Sequence, residues 1–232
     1  SGKTGRLVIA ADRKALETAS GVSKSLDGAR RFTARAARDA RHLYFSFEVT
    51  SPHELINAVA DPKLVFKGGN CLDIQLAADP AADPQRKTPA PGDVRLLVTR
   101  QVAADGKTIQ PLAVVYRPQV KDFQGQPIVL HSPTGQESFA EIRVVENIGL
   151  EYRKTPGGFE AIVAVPLDLL GLTLSPGQSL TMDLGYLYGN ATGTQVAARS
   201  YWTNNSFSAN VTNEVPNESR LEPAAWGQAT VE

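Results

Sequence analysis

Four acids fall where chemistry would want them. Glu48, Asp73, Glu160 and Asp183 each occupy the polar side of an alternating strand, so several can converge on one sheet surface. Two carboxylates flanking a sugar are what glycoside hydrolysis requires. The sequence assigns no His, Tyr or apolar pocket to tuning one of them as an acid. Bases such as Arg95, Arg143 and Arg153 stand ready to offset them. The acids therefore read as a solvated or ligand-contacting face, on which Arg95 and Asp73 can also pair with each other, and not as a hydrolytic pair.

Other chemistry finds less support. Gly2-Lys3-Thr4 echoes the end of a phosphate-binding loop, without the glycine-rich turn and preceding strand that would aim N–H groups at phosphate. His42, His53 and His131 are scattered without i, i+4 metal spacing, and no Gly-x-Ser-x-Gly elbow occurs. Cys71, the single cysteine, reads as a small buried hydrophobe and excludes an internal disulfide or a multi-cysteine metal site. Calcium needs several carboxylate and carbonyl oxygens. Asp39, before the first core strand, and Asp79 and Asp83, in an Asp-rich loop, are the metal candidates, without EF-hand spacing.

The elements that must carry these residues have a period of two. Leu43, Phe45, Phe47 and Val49 alternate with Tyr44, Ser46, Glu48 and Thr50. The same alternation runs through Leu72/Ile74/Leu76, Val94/Leu96/Val98, Phe159/Ala161/Val163/Val165 and Leu180/Met182/Leu184/Tyr186. Arg6 to Ala10, Leu112 to Tyr116, Phe139 to Val145 and Ala229 to Val231 are weaker strands. The pattern predicts Phe45, Phe47, Leu72, Ile74, Leu96, Val98, Val163, Val165, Met182 and Leu184 in the core. Short strands punctuated by Gly, Pro, Asn and Asp favour an all-β antiparallel sandwich. Ser51-Pro52-His53-Glu54 predicts a helix start running to Val59. A short turn is expected at Leu167 to Leu170, ended by Gly171, and Asp12 to Ala19 is a third helical candidate. Ala77 to Pro91, Arg117 to Pro133 and Thr203 to Pro223 read as irregular. They bring no second core, so residues 1–232 read as one domain, excised from a longer protein.

Composition narrows the partners. The chain has 232 residues, enough for a large core, with 24 basic and 24 acidic side chains. That balance gives no basic surface for nucleic acid. No apolar run approaches the roughly 20 residues of a membrane span. The sequons at Asn190, Asn204, Asn210 and Asn217 are what an Asn- and Ser-rich sequence yields by chance.

The order of several segments resembles carbohydrate-binding module family nine and its DOMON-like relatives. Ala37 to Val49 is similar to the family's early strand, an Asp-containing turn followed by Leu-Tyr and an alternating run. Asn70-Cys-Leu-Asp-Ile-Gln-Leu resembles its turn followed by an acid within an apolar strand. Gly158 to Leu167 resembles its Gly-aromatic strand ending in Pro-Leu, and Trp226-Gly227 its closing strand. The tail from Arg199 to Trp226-Gly227 looks like a variant carried in large multidomain proteins of environmental bacteria.

The resemblance implies a jelly-roll or immunoglobulin-like sandwich with one or two short helices. It implies a non-catalytic module that targets a secreted protein, extracellular or periplasmic, to a glycan, often with structural calcium and with catalytic or adhesive domains appended. Residue by residue it implies a sugar site of Trp202, Arg95, Asp73 and Asn204 or Asn205, with Phe66 where the family has an earlier stacking aromatic. Rings pack on the C–H faces of pyranoses, and planar charged groups take two adjacent hydroxyls. Two other readings remain at this point. A haem-binding relative would use Met182 with His42, His131 or a lysine, and a structural or adhesive sandwich would have no sugar site. Trp226 is expected to plug the core.

Overall fold

The structure, a computed structural model, describes residues 5–103, 105–206 and 215–232. Gly2-Lys3-Thr4 and the sequon Asn210 lie outside the described residues. In chain order the strands are β1 (Leu7–Ala10), β2 (Val22–Ser25), β3 (Arg31–Arg38), β4 (His42–Thr50), β5 (Cys71–Ala77), β6 (Asp93–Val102), β7 (Ile109–Arg117) and β8 (Ile128–Ser132). They continue with β9 (Gly135–Phe139), β10 (Glu141–Val144), β11 (Gly149–Thr155), β12 (Gly158–Pro166), β13 (Ser179–Gly189), β14 (Val196–Tyr201) and β15 (Gly227–Val231). Three short helices, α1 (Val65–Gly68), α2 (Leu167–Leu170) and α3 (Val215–Ser219), lie between them.

Thirteen strands form one hydrogen-bonded path, β10-β7-β6-β5-β13-β15-β1-β3-β4-β12-β11, with β14 on β13 and β2 on β3. The long β13 is the corner. Its Ser179–Met182 half pairs with β15, while Met182–Leu187 pairs with β5 and Gly185–Gly189 with β14. The path therefore curls into two facing halves, an all-β sandwich. Most pairs are antiparallel, as expected, but β1 lies parallel to both β15 and β3, joining the first and last strands.

The main core fills the space between the halves. Phe45, Phe47, Leu72, Ile74, Leu96, Val98, Val163, Val165, Met182 and Leu184 are all buried there, as the alternation predicts. Pro156-Gly157 turns β11 into β12, Gly157 taking the positive φ of 81° that a type II turn demands. Gly171 ends α2 in the left-handed conformation at φ 68°, also as predicted. Asp12 caps a 3-10 turn over Arg13–Glu17.

The helix expected from Ser51 to Val59 does not form. Ser51 Oγ accepts the His53 N–H at 3.2 Å, and the backbone then spends its donors on other segments, Asn57 on Arg100 and Ala58 on Gly193. Tertiary pairing overrides the local capping signal. β2, β3, β8, β9, β11 and β14 are strands that the alternation did not single out. Within the expected irregular stretches, Ile128–Ser132 forms the β8–β9 hairpin with Gly135–Phe139, and Val215–Ser219 is helical.

A second layer covers the outer face of the β5–β6–β7 half. Val65 and Phe66 of α1, Leu130 and Phe139 of the hairpin, Leu221 and Trp226 pack there against Leu97, Val114, Tyr116 and Tyr201. Every residue of β5 is consequently buried on both faces. Trp226 plugs this layer as expected, its Nε1 donating to Gln75 Oε1 at 3.1 Å.

Candidate functional site

The face expected to be solvated carries a closed polar cluster. Asp73 (β5) and Arg95 (β6) are in diagonal register beside each other, with Tyr201 (β14) reaching them over Gly185 of β13. A Cβ on Gly185 would lie 2.3 Å from the Tyr201 ring, so glycine makes room for that tyrosine. Arg95 Nε meets both Asp73 oxygens at 3.1 Å and its Nη2 meets Oδ2 at 2.6 Å; the Tyr201 hydroxyl donates to the same oxygen at 2.7 Å. Burial alone would lower the Arg95 pKa, but the Asp73 carboxylate beside it raises it above the usual guanidinium value. Desolvation pushes the Tyr201 phenol up. Arg95 Nη1 and Arg199 Nη1 both donate to the Glu218 carbonyl at 2.8 Å, which ties α3 onto the sheet. An ion pair this enclosed serves structure, because breaking it strands a buried charge.

Trp202 lies on the opposite side of the sheet. It is 3% exposed within the main core, and its backbone N–H pairs with Leu184 at 2.8 Å. Phe66 is fully buried, its ring edge-on to Tyr116. Neither ring can stack on a sugar, which corrects the expectation that Trp202, Arg95, Asp73, Asn204, Asn205 and Phe66 share one exposed face. The physical reason is that β14 alternates, sending Tyr201 outward to Asp73 and Trp202 inward. Period-two placement was visible in the sequence, but the second layer over Asp73 and Arg95 was not.

Asn204 and Asn205 do reach a cavity. A pocket of about 160 Å³ opens between the two edge strands β2 and β14. Lys24, Ser25 and Leu26 form one wall; Arg199, Ser200 and Tyr201 form the other, with Asn204 and Asn205 at the rim. Lys24 Nζ donates to Asn205 Oδ1 at 2.8 Å across the gap. Two of the lining residues leave buried polar atoms without a hydrogen-bond partner among the described residues, Arg199 Nε and Ser200 Oγ. Neither atom faces the cavity, since the Arg199 side chain is wholly enclosed and Ser200 Oγ is shut off from solvent. Asp183, fully buried, holds the rim loop by accepting the N–H groups of Thr203 and Asn204 at 3.0 and 2.8 Å. Desolvation raises its pKa to about 7 against these bonds. Arg199, Lys24 and Ser200 were missed from the sequence; the alternation of Arg199-Ser-Tyr-Trp was the available signal for the first.

The larger hollow, about 550 Å³, lies over β2, β3, β4 and β12 beside Glu48 and Glu160, and shares Lys24 and Ser25 with the pocket. Those acids are ion-paired to Arg35 and Arg153, and none of the residues lining the hollow has a buried partnerless polar atom. Asp73 and Asp183, the other two strand acids, are enclosed and reach no open face.

The metal candidates serve turns. Asp39 accepts the Tyr44 hydroxyl at 2.6 Å and two backbone N–H groups, which hold its pKa down at about 2. Asp79 and Asp83 accept the N–H groups of Ala81 and Gln85. Among the described residues no group of three or more His, Cys, Asp or Glu is placed to hold a metal ion. Met182 is in the core, whereas His131 is exposed on β8 and His42 partly exposed on β4. Cys71 is fully buried and its thiol pKa is raised by desolvation, as a structural cysteine requires. No described helix is long and apolar enough to cross a membrane.

No protein-family model matches the sequence, and no curated protein matches it. Several solved structures share the fold, two of them sugar-bound modules. One is a carbohydrate binding module family 9 (CBM9) from Caldicellulosiruptor kristjanssonii in complex with cellotriose, 11% identical, with a TM-score of 0.57 over 98% of this chain and 93% of that one. The other is a CBM9 from the same organism in complex with glucose, 10% identical, with a TM-score of 0.55 over 98% of this chain and 95% of that one. At this identity the likeness establishes a CBM9-like fold.

Proposed function

We propose that this chain is a single-domain, non-catalytic carbohydrate-binding module that brings an extracellular or periplasmic multidomain protein to a glycan. The observation that carries the reading is the pocket between β2 and β14, rimmed by Lys24, Asn204 and Asn205, in a fold shared with sugar-bound modules. Its volume, about 160 Å³, is on the order of five waters, room for one sugar ring. Asn204, Asn205 and Lys24 supply rim donors and acceptors for hydroxyls, and Leu26 an apolar contact. Tyr201, the one aromatic residue of the described lining, is buried with its hydroxyl on Asp73, and Trp202 and Phe66 are enclosed elsewhere, so binding rests on hydrogen bonds.

A glycan array followed by calorimetry on the hits tests this. Saturable binding without release of shorter sugars is the expected result, and Asn204→Ala should weaken it. Absence of binding across the array would favour the structural or adhesive reading. The observation on that side is that the Asp73–Arg95 face is sealed by α3 and Trp226.

A further inference from the structure

We propose that the rim of the pocket between β2 and β14 is a pH gate: Asp183 in its neutral form keeps Thr203 and Asn204 closed against β13, and its ionisation releases them. The inference rests on the glycan-binding reading and adds its regulation. Asp183 is fully buried, and its oxygens accept backbone N–H groups. Oδ1 takes those of Leu184 at 2.9 Å and Thr203 at 3.0 Å, and Oδ2 takes that of Asn204 at 2.8 Å. The other buried carboxylates each face an arginine, Asp73 with Arg95, Asp93 with Arg86 and Glu218 with Arg199. Asp183 has no such cation among the described residues.

A buried carboxylate without a cation is costly, because its charge has left water. The N–H bonds repay part of that cost only: desolvation is the larger effect and lifts the Asp183 pKa from 3.8 to about 7. Two of those bonds come from the rim loop, so swinging Thr203 and Asn204 away returns the carboxylate to water and to a pKa of about 4. Closing therefore takes up a proton. The closed rim is favoured most below pH ~4, loses favour as the pH rises, and changes no further above pH ~7. The charges around Asp183 are otherwise engaged. Its partner on β5 is the uncharged Gln75, which holds Trp226 Nε1, and Met182 before it registers with Gly227 of β15. Two residues along the same face, Asp73 is neutralised by Arg95 with the Tyr201 hydroxyl of β14 upon it. Glu222 accepts from Asn204 Nδ2 at 3.2 Å and Lys24 reaches Asn205; both meet rim side chains, whereas Asp183 meets the rim backbone.

Calorimetry of an array-positive oligosaccharide from pH ~5 to pH ~8 reads the gate at the pocket. Affinity should fall about tenfold or more, within the roughly hundredfold that this window allows, and level off above pH ~7. Near pH ~6 binding should take up part of a proton, read in two buffers of unlike ionisation heat. Asp183→Asn should flatten the profile, and Glu222→Gln should leave its midpoint in place. Amide exchange in the free wild-type protein needs neither sugar nor variant. Corrected for intrinsic exchange rates, protection of Thr203 and Asn204 should drop across the same range by more than that of Trp202, whose N–H bonds the Leu184 carbonyl. Unchanged protection overturns the gate, whatever the protein binds. Falling protection with pH-independent affinity overturns its control of the pocket. Falling protection in a protein that binds no sugar leaves the gate standing and overturns the glycan reading beneath it.

Discussion

Trp202→Ala should destabilise the protein by about 3 kcal/mol and act on glycan binding only through the fold. Truncating a large buried aromatic costs about 3–5 kcal/mol, from lost transfer energy and the cavity left behind. Trp202 is 3% exposed, and its ring lies on the backbone of Gly227, where an added Cβ would sit 2.8 Å from Cη2. Its indole Nε1 has no hydrogen-bond partner among the described residues. A stranded donor costs on the order of 1–3 kcal/mol, and removing it offsets part of the loss, hence the lower end of the range. Trp202→Phe removes the stranded N–H and keeps a ring, so it should cost about 1 kcal/mol or less. Trp226→Phe should cost more than Trp202→Phe, because it deprives the buried Gln75 Oε1 of its donor. Urea unfolding followed by far-UV circular dichroism measures all three. If Trp202→Ala abolishes glycan binding at a cost under about 1 kcal/mol, the indole is a ligand contact and its core assignment is wrong.

Three further outcomes follow from the buried groups. Arg95→Met leaves the Asp73 carboxylate enclosed without its cation and should cost about 3–5 kcal/mol; adding Asp73→Leu should recover most of it, and failure to recover would deny that the pair acts as a unit. Asp183 has a native pKa of about 7 against 3.8 for the free group, raised first by desolvation, so the folded state binds this proton more tightly than the unfolded chain. Stability from this group is therefore full below pH ~4 and falls as the pH rises to ~7, by at most roughly 4 kcal/mol. Asp183→Asn should flatten the urea midpoint across that window, and an unchanged slope would refute the assignment. Excess chelator should leave the melting temperature unaltered, since Asp39, Asp79 and Asp83 are occupied as turn acceptors; a fall after verified metal removal would reveal an ion bound to the native state.

The core was legible because alternation encodes it directly: Phe45 and Phe47, or Leu72 and Ile74, face inward whatever lies outside. What lies outside was not legible. Asp73, Gln75 and Arg95 alternate as a solvated face would, yet α1, the β8–β9 hairpin, α3 and Trp226 close over them. Those covering pieces come from segments far apart in sequence, with no shared periodicity, so burial of the polar face is a tertiary fact. The Ser51 helix failed for a related reason, since Asn57 and Ala58 found strand and loop partners that local capping cannot foresee. Of the residues around the pocket, the resemblance pointed to Asn204 and Asn205, while Lys24 sits on an edge strand too short to announce itself.

The central claim is that the open edge between β2 and β14 is where this sandwich meets its glycan. Backbone amide shifts recorded while an array-positive oligosaccharide is titrated in test it most directly. Saturable shifts clustered at Leu26, Arg199, Ser200, Asn204 and Asn205, with β8, β9 and Thr33, Glu48, Thr50 and Glu160 of the larger hollow unmoved, are the predicted result. Shifts centred on that hollow, or none at saturating sugar, would contradict it.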